Sequence, residues 1–419
     1  MKQASPDTHK NKVGDGPNFP DQKVGRGTTK VLNTADNLKA LLSYLGAIPY
    51  LNTMTFDVEV IVKDKAIPSD ELSSLLISES SKYGFPPKGI ENHLHVVAKQ
   101  NKYHPVERLL NGLEWDGIGR VDDVISCIDS KYPDITRVVM KRWLVGCIAS
   151  LYESNFKSKL VPIIQGEQSF TKTAFIARLA SLTPFTFLEG AELNPNKKDS
   201  VLSCINSWII ELGELERSTK NCQGALKAFI SKQMDSVRPP YHPKDVKKPR
   251  QSHFIATVNG TDFLKDRTGN SRYAVIELTG QIDIDRANQI LGWTYKLSGS
   301  LTLDQPERLK QFWLEVKSLY ESGAGWMLSP EEQKKVDIAS SCYLDKGNWY
   351  QVLLEHLHVC ASSSTHTNEW LAPKQICEAL NIPISNAGHV GRALKMLADE
   401  GQIETRHQNG YRMYVFPVV

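Results

Sequence analysis

The stretch that decides the fold is Leu160-Val-Pro-Ile-Ile-Gln-Gly166-Glu-Gln-Ser-Phe-Thr-Lys172-Thr173. The apolar run at 160–164 predicts a short buried strand, and residues 174–182 have the apolar spacing of a helix. Between them, a Lys-Thr pair follows Gly166 at the spacing of a phosphate-binding loop that joins a strand to a helix. The alternative is a chance match, because a Gly followed by Lys-Thr is common.

In such a loop, backbone N–H groups and the helix N-terminus surround the phosphates of a nucleotide. We predict that Lys172 neutralises the β and γ phosphates and that Thr173 coordinates Mg²⁺. Thr171 stands where the pattern has its second Gly, and a left-handed conformation there would strain a β-branched residue by roughly 1 to 2 kcal/mol. The predicted nucleotide-binding residues are Gly166, Glu167, Gln168, Ser169, Phe170, Thr171, Lys172 and Thr173.

Two carboxylates follow the next predicted buried strand, at 207–211. An ATPase needs an acidic residue at the end of a neighbouring strand, to hold the metal and to orient the attacking water. We predict Glu211 as the metal-side residue, together with Thr173, and Glu214 as the base that activates the water. The alternative is a strand that leaves the core into a solvated acidic loop.

Polar groups also follow a third predicted strand, at 253–258. Asn259 suits sensing of the γ phosphate, although Asn is also common in turns. Arg267 and Arg272 lie on the turn-rich segment 266–273, where a planar guanidinium would reach a phosphate of the same or a neighbouring subunit. The alternative is a surface turn with incidental arginines.

Strands and helices alternate between residues 139 and 280, which predicts an α/β fold with a largely parallel sheet and a site at the carboxyl ends of its strands. Along the chain, the phosphate-binding loop is followed by two carboxylates, then by a polar sensor residue and then by arginines. This order predicts the core of a nucleoside triphosphatase. The predicted divisions are a disordered tail at 1–30, a mixed, mostly helical module at 31–135, the ATPase domain at 136–300, a helical linker at 301–345 and a winged-helix domain at 346–419.

The charge of this 419-residue chain is unevenly distributed, although its net value is only +3. The predicted tail carries six Lys/Arg against three Asp, so the remaining residues balance at 44 basic and 44 acidic. Any attraction for nucleic acid must therefore be local. The composition, 41 % hydrophobic and 23 % charged, excludes wholesale disorder and a membrane protein, and the seven scattered cysteines favour a reducing cytoplasm.

Segment 238–250 is such a local concentration, with five Lys/Arg, one Asp and four prolines. The prolines exclude a helix and restrict the chain, which favours a projecting arm over a random coil. We predict that this arm contacts DNA, with Lys244, Lys247 and Lys248 foremost; the alternative is a solvated loop. The candidate DNA-contacting residues of the arm are Arg238, Tyr241, His242, Lys244, Lys247, Lys248 and Arg250.

The final segment predicts two helices followed by a hairpin around Asn409-Gly410, which is the winged-helix layout. Its second helix, at 386–400, would be a recognition helix that offers His389, Arg392 and Lys395 to DNA. Residues 368–419 hold five basic and five acidic side chains, so docking of a protein or packing within a ring is an equal alternative.

The chain from 33 to 328 resembles the virulence-associated protein E family of phage, plasmid and genomic-island replication proteins, which are relatives of superfamily 3 helicases in the AAA+ class. The motifs that carry the resemblance are Asn101-Lys-Tyr-His-Pro105, Trp115-Asp-Gly117, the loop at 166–173, Glu211-Leu-Gly-Glu-Leu215, Arg238-Pro-Pro-Tyr241, Thr257-Val-Asn259 and Asp266-Arg-Thr-Gly-Asn-Ser-Arg-Tyr273. This sequence has Ser169 and Thr171 where the family usually has Gly, and Ser271 where it usually has a second Arg.

The resemblance implies an ATP- and Mg²⁺-dependent ring, commonly a hexamer, that translocates on single-stranded or forked DNA during replication of a phage or other mobile element. Arg272 would then be the finger that reaches the neighbour's ATP, and a primase or other replication protein would be a further partner. Such a protein would act in the cytoplasm of a bacterial or phage-infected cell. Two other hypotheses stay open: a DNA-binding replication initiator with a degenerate phosphate loop, and a nucleotide-binding regulator that never touches DNA.

Overall fold

The structure is a computed structural model that describes residues 16–62, 65–67, 69–195, 197–213, 220–238, 245–261, 263–264, 272–343, 346–361, 366–408 and 410–418. Its centre is a five-stranded sheet with the strand order β13-β7-β12-β9-β8, in which every neighbouring pair is parallel. The strands are β7 (Val161–Gln165), β8 (Phe187–Leu188), β9 (Ile209–Leu212), β12 (His253–Val258) and β13 (Tyr273–Glu277). The predicted α/β class with a parallel sheet is confirmed.

Both faces of this sheet are buried, because parallel strands need crossover helices that cover the sheet on each side. Ile163 and Ile164 are neighbours in β7, yet they belong to two different hydrophobic cores, and so do Ile209 and Ile210 in β9. Successive side chains of a strand point to opposite faces, so a continuous apolar run serves both cores. This is why these strands read as short apolar segments in the sequence.

Helices pack on the sheet and continue beyond it. Helix α6 begins with Pro133, a residue favoured in the first turn of a helix, and runs to Tyr152. The helices of this region are α4 (Pro105–Asn111), α5 (Val121–Ile125), α6 (Pro133–Tyr152), α7 (Lys172–Ala180), α8 (Lys198–Ile205), α9 (Lys220–Ile230), α10 (Ile284–Leu291), α11 (Pro306–Glu321) and α12 (Pro330–Ser340). Two antiparallel hairpins accompany them, β10 (Met234–Val237) with β11 (Val246–Pro249) and β14 (Trp293–Tyr295) with β15 (Leu301–Leu303).

The N-terminal module has a core of its own, built on a four-stranded sheet with the order β5-β4-β3-β6. Its elements are α1 (Ala35–Tyr44), β3 (Ala47–Asn52), β4 (Val58–Val62), β5 (Lys65–Ile67), α2 (Ser69–Lys82), α3 (Lys88–Ala98) and β6 (Lys102–Tyr103). The prediction of a disordered tail over residues 1–30 differs from the structure from residue 16 onward. Strands β1 (Gln22–Val24) and β2 (Thr29–Val31) form a hairpin, and Phe19 is buried against Phe85. Phe19 and the hydrogen bonds of Asp21 with Thr34 and Asn37 hold this polar segment in place, and composition does not reveal them.

The C-terminal unit also has its own core, formed by three helices and a three-stranded antiparallel sheet with the order β16-β18-β17. Its elements are α13 (Asn348–Ala361), β16 (Thr367–Leu371), α14 (Pro373–Ala379), α15 (Ala387–Asp399), β17 (Thr405–Gln408) and β18 (Tyr411–Val418). The two predicted helices and the hairpin are present, and β16 is an additional strand that the sequence did not indicate. In the part of the chain that the structure describes, no helix is long and apolar enough to cross a membrane.

Candidate functional site

The segment 166–171 leaves the carboxyl end of β7 and leads directly into α7, as the sequence predicts. A Cβ atom at Gly166 would lie 3.0 Å from Cβ of Leu278 and 3.0 Å from Cδ2 of Phe170. Such contacts are tighter than most side chains show, so a larger residue at this position would require Leu278 or Phe170 to shift. Gly166 therefore lies at a crowded point at the start of the predicted phosphate loop.

Two residues of the loop adopt the left-handed conformation that usually belongs to glycine. Ser169 has a φ of 70° and Thr171 a φ of 58°. The Thr171 hydroxyl donates to the backbone carbonyl of Phe170 at 2.7 Å and lies 3.2 Å from that of Ile282. The penalty of about 1 to 2 kcal/mol for a non-glycine residue in this region is thus partly offset by the anchored hydroxyl.

Two substitutions at Thr171 are expected to separate the cost of its left-handed backbone conformation from the stabilisation by its hydroxyl hydrogen bonds. Thr171→Val keeps the β-branched strain and loses the hydroxyl contacts, so it should lower the free energy of unfolding by about 1 kcal/mol. Thr171→Gly loses the same contacts but is relieved of the left-handed penalty, so it should stay within about 0.5 kcal/mol of wild type. Urea unfolding followed by tryptophan fluorescence measures both values. Equal losses in the two variants would mean that the left-handed conformation costs nothing here.

The ammonium of Lys172 is held above the loop by three oxygen atoms. Its Nζ donates to the backbone carbonyls of Gly166 and Glu167, both at 2.7 Å, and to Oδ1 of Asn259 at 2.9 Å. Asn259 follows β12, the strand next to β7, which brings the predicted sensor to the predicted lysine. The ammonium is buried, and two of its acceptors are backbone carbonyls of the loop itself.

Glu211 is the most buried carboxylate of the site, with 1 % of its surface exposed. Its Oε1 accepts hydrogen bonds from the hydroxyls of Thr173 and Thr257, each at 2.6 Å, and its Oε2 accepts one from the backbone N–H of Gly190 at 3.0 Å. These donors come from α7, β12 and the turn after β8, so three neighbouring elements converge on one carboxylate.

Sequence reasoning missed Thr257 and Gly190. The sequence did offer a sign of a functional role for Thr257, since it is a polar residue inside a buried strand, two positions before the predicted sensor Asn259. The sequence offered no sign for Gly190. Its backbone can donate to Glu211 because the turn after β8 passes close to the end of β9: a Cβ atom at Gly213 would lie only 3.2 Å from Cα of Gly190.

The oxygen atoms of Thr173 and Glu211 fit a magnesium ion. Mg²⁺ prefers oxygen ligands and is usually bound through one or two protein groups while water and substrate phosphates complete its shell. Over the described ranges, no group of three or more His, Cys, Asp or Glu residues is arranged to hold a metal.

The predicted arginine finger lies apart from this group of residues. Arg272 directly precedes β13, and β13 is parallel to β7 with Tyr273 opposite Val161, so Arg272 is at the amino end of the sheet. The loop follows the carboxyl end, roughly 15 Å away at about 3.3 Å per residue. Nε of Arg272 donates to Oγ of Ser231 at 2.8 Å. The other predicted catalytic residues, Glu214 and Arg267, lie outside the described residues.

The predicted DNA arm is a β-hairpin, and two of its predicted contacts are structural. Lys248 is 6 % exposed, and its Nζ donates to the carbonyls of Met54 at 2.9 Å and Ile205 at 2.5 Å. Burial lowers the pKa of this amine to about 7. Arg250 is 4 % exposed and forms a two-pronged ion pair with Asp235 at 2.7 and 2.6 Å. Lys248 and Arg250 therefore do not face DNA, contrary to the prediction.

The alternation of side chains along a strand explains this outcome. In the hairpin, Asp235 lies opposite Lys248 on the inward face, whereas Ser236 lies opposite Lys247 on the outward face. Lys247 and Arg238 are exposed. Tyr241, His242 and Lys244 lie outside the described residues.

The predicted recognition helix, α15, has one buried and one exposed face. Val390, Leu394 and Leu397 face the core of the C-terminal unit, and His389, Arg392 and Lys395 are exposed. The Arg392 guanidinium is 2.8 Å from Nδ1 of His389, which accepts a hydrogen bond from it. The residues predicted to contact DNA thus share the outward face.

Comparisons with known proteins were made for sequence and for structure. No curated protein matches the chain. Two solved structures of similar shape are "The apo structure of NrS-1 C terminal region (305-718)", with 11 % identity and a TM-score of 0.47, and "The A form apo structure of NrS-1 C terminal region-CTR", with 13 % identity and a TM-score of 0.47. Each covers 91 % of this chain and 98 % of the other. The profile of the virulence-associated protein E-like domain matches residues 110–344, more than half of the chain, which therefore belongs to that family.

Proposed function

We propose that the protein is an ATP-dependent DNA helicase or translocase that acts as a ring in the replication of a phage or other mobile genetic element. One observation carries the proposal. Lys172 and Thr173, Glu211, and Asn259 come from three separate points of the sequence and meet at the carboxyl edge of the parallel sheet. This edge is where ligands bind in open α/β sheets.

Each of these residues has a task that its geometry supports. The backbone N–H groups of the loop and of the first turn of α7 would hold the phosphates, and Lys172 would exchange its carbonyl acceptors for phosphate oxygens. Thr173 and Glu211 would hold Mg²⁺, which neutralises charge on the phosphates when bound. Asn259, already within hydrogen-bonding distance of Lys172, would orient the water beside the γ phosphate.

The position of Arg272 supports action across a subunit boundary. It lies at the opposite edge of the sheet from its own loop, so its guanidinium would act on the ATP of a neighbouring copy. An arginine supplied in this way stabilises the charge of phosphoryl transfer. A ring, commonly a hexamer in the family that this chain resembles, places each Arg272 beside the next nucleotide.

The hairpin β10–β11 supports contact with DNA through its outward face. Lys247 and Arg238 are exposed there, while Lys248 and the Arg250–Asp235 pair fix the inward face to the protein. Basic groups on such an element bind phosphates without reading sequence. A ring would repeat this pair around one channel, so a nearly neutral subunit would still present a basic pore.

A second function is favoured by the conformation of the loop. Ser169 and Thr171 hold positive φ values where glycine is usual, and Lys172 is bound to loop carbonyls. These features suit an initiator that uses nucleotide for assembly without efficient hydrolysis and binds DNA through the C-terminal unit. Its α15 would then be the recognition helix of a winged helix, presenting Arg392 and Lys395.

Phosphate release from ATP by the full chain, with and without single-stranded DNA, tests the proposal. We expect hydrolysis above the background of a mock preparation and a several-fold stimulation by DNA, since translocation couples the two. Turnover at background with retained nucleotide binding would favour the initiator. ATP hydrolysis at the same rate with and without DNA would favour a nucleotide-binding regulator that does not bind DNA. The symmetry of particles formed with ATP and DNA tests independently whether the subunits assemble into a ring.

A further inference from the structure

A basic cleft of about 500 Å³ lies between the N-terminal module and the hairpin β10–β11. One wall is formed by His95 and Lys99 at the end of α3 and by Lys102 on β6. The other wall carries Lys247 on β11, and Asp245 is the one acidic residue of the lining that the structure describes. The cleft is remote from the nucleotide-binding loop in sequence and shares no residue with it.

Three lysines of this cleft are not ion-paired within the part of the chain that the structure describes. Within the described ranges, the side chains of Lys99, Lys102 and Lys247 have no hydrogen-bond or ion-pair partner, and all three are exposed. Elsewhere on the surface, lysines such as Lys39, Lys82 and Lys310 pair with a carboxylate three positions away. Three unpaired ammonium groups around one concave surface form a positive potential that favours an anionic ligand.

The distribution of the lysines along the cleft favours an extended, negatively charged polymer as the ligand. The three amines belong to a helix end, a strand of the N-terminal module and a strand of the hairpin, so they line both walls instead of converging on one point. Phe56 and Pro249 add apolar surface between the walls. A volume of about 500 Å³ corresponds to a small-molecule pocket, which takes one or two nucleotides of a strand and excludes a double helix.

We propose that this cleft binds the phosphate backbone of single-stranded DNA, with Lys99 and Lys102 of the N-terminal module on one side of the strand and Lys247 on the other. The inference rests on the proposed action on DNA and deepens it. The N-terminal module is then a wall of the DNA path, and the strand passes between two parts of the same subunit.

Fluorescence anisotropy with labelled oligothymidylate, measured on the full chain across about 0.05 to 0.2 M salt, tests the proposal. Each lost phosphate contact reduces the salt slope for single strands by about 0.7, equivalent to about 5-fold in affinity near 0.1 M. Lys99→Ala/Lys102→Ala should therefore weaken binding by about 25-fold and flatten the slope by about 1.4. Lys247→Ala, on the opposite wall, should weaken it by about 5-fold.

Lys334→Ala/Lys335→Ala is the matched control, because it removes two exposed charges from α12, away from the cleft. This control should keep the affinity and slope of wild type. Wild-type binding by both cleft variants, equal losses in the control, or equal affinity for duplex DNA would overturn the proposal. A lowered unfolding temperature of the double variant would leave Lys247→Ala as the deciding measurement. Failure of the ATPase proposal is separate, since it appears as absent hydrolysis with oligonucleotide binding intact.

Discussion

Replacement of Lys172 by alanine is expected to lower the rate of ATP hydrolysis by about 10²- to 10³-fold, the usual effect of losing one preorganised group that stabilises transition-state charge. The ammonium lies inside the loop, within 2.7 Å of two of its backbone oxygens. No other lysine or arginine among the described residues donates to the carbonyls of this loop.

Phosphate release under saturating DNA measures the effect, and Lys335→Ala, an exposed residue on α12, is the control that should retain wild-type turnover. The unfolding temperature of each variant shows whether the chain is folded. Equal turnover in wild type and Lys172→Ala would assign the activity to a contaminant. A variant that binds ATP as wild type does but fails to hydrolyse it would place Lys172 in the chemical step alone.

Arg250→Met is expected to lower the free energy of unfolding by about 3 to 5 kcal/mol, because it leaves the carboxylate of Asp235 buried without its partner. Both side chains of the pair are almost wholly buried, with 4 % and 2 % exposed. The guanidinium also lies 4.4 Å above the ring of Phe229, so the substitution removes packing as well as charge. Chemical denaturation of the full chain measures the loss.

Two further variants make this result specific. Arg137→Met breaks an ion pair with Asp122 whose side chains are 58 % and 49 % exposed, so it should cost no more than about 1 kcal/mol. Arg250→Met/Asp235→Leu removes both charges and should recover most of the stability. If Arg250→Met were as mild as Arg137→Met, the buried pair would not stabilise the hairpin.

The central sheet could be predicted from sequence because its strands are buried on both faces. Apolar runs around Ile163, Ile210 and Ile255 stand out against polar surroundings, and the polar residues that follow them mark the carboxyl edge. The convergence of Lys172, Glu211 and Asn259 follows from that edge. The two-residue strand β8 leaves no comparable signal, so Gly190 could not be assigned to the site.

The burial of Lys248 and Arg250 could not be predicted for a different reason. A run of lysines and prolines has the composition of a solvated segment, and the one carboxylate within it, Asp245, is not the partner that either residue adopts. Asp235 is 15 residues from Arg250, and the carbonyl of Met54 is 194 residues from Lys248. Long-range pairing of this kind is a property of the folded chain and is not encoded in any local pattern.

The ammonium of Lys248 has a consequence for motion. It joins the hairpin to the turn after β3 through Met54 and to the end of α8 through Ile205. Displacing the hairpin alone would leave a buried amine and two carbonyls without partners, at a cost of about 1 to 3 kcal/mol for each group. Any movement of the hairpin would therefore carry with it the turn after β3, 194 residues away in sequence, and the end of α8.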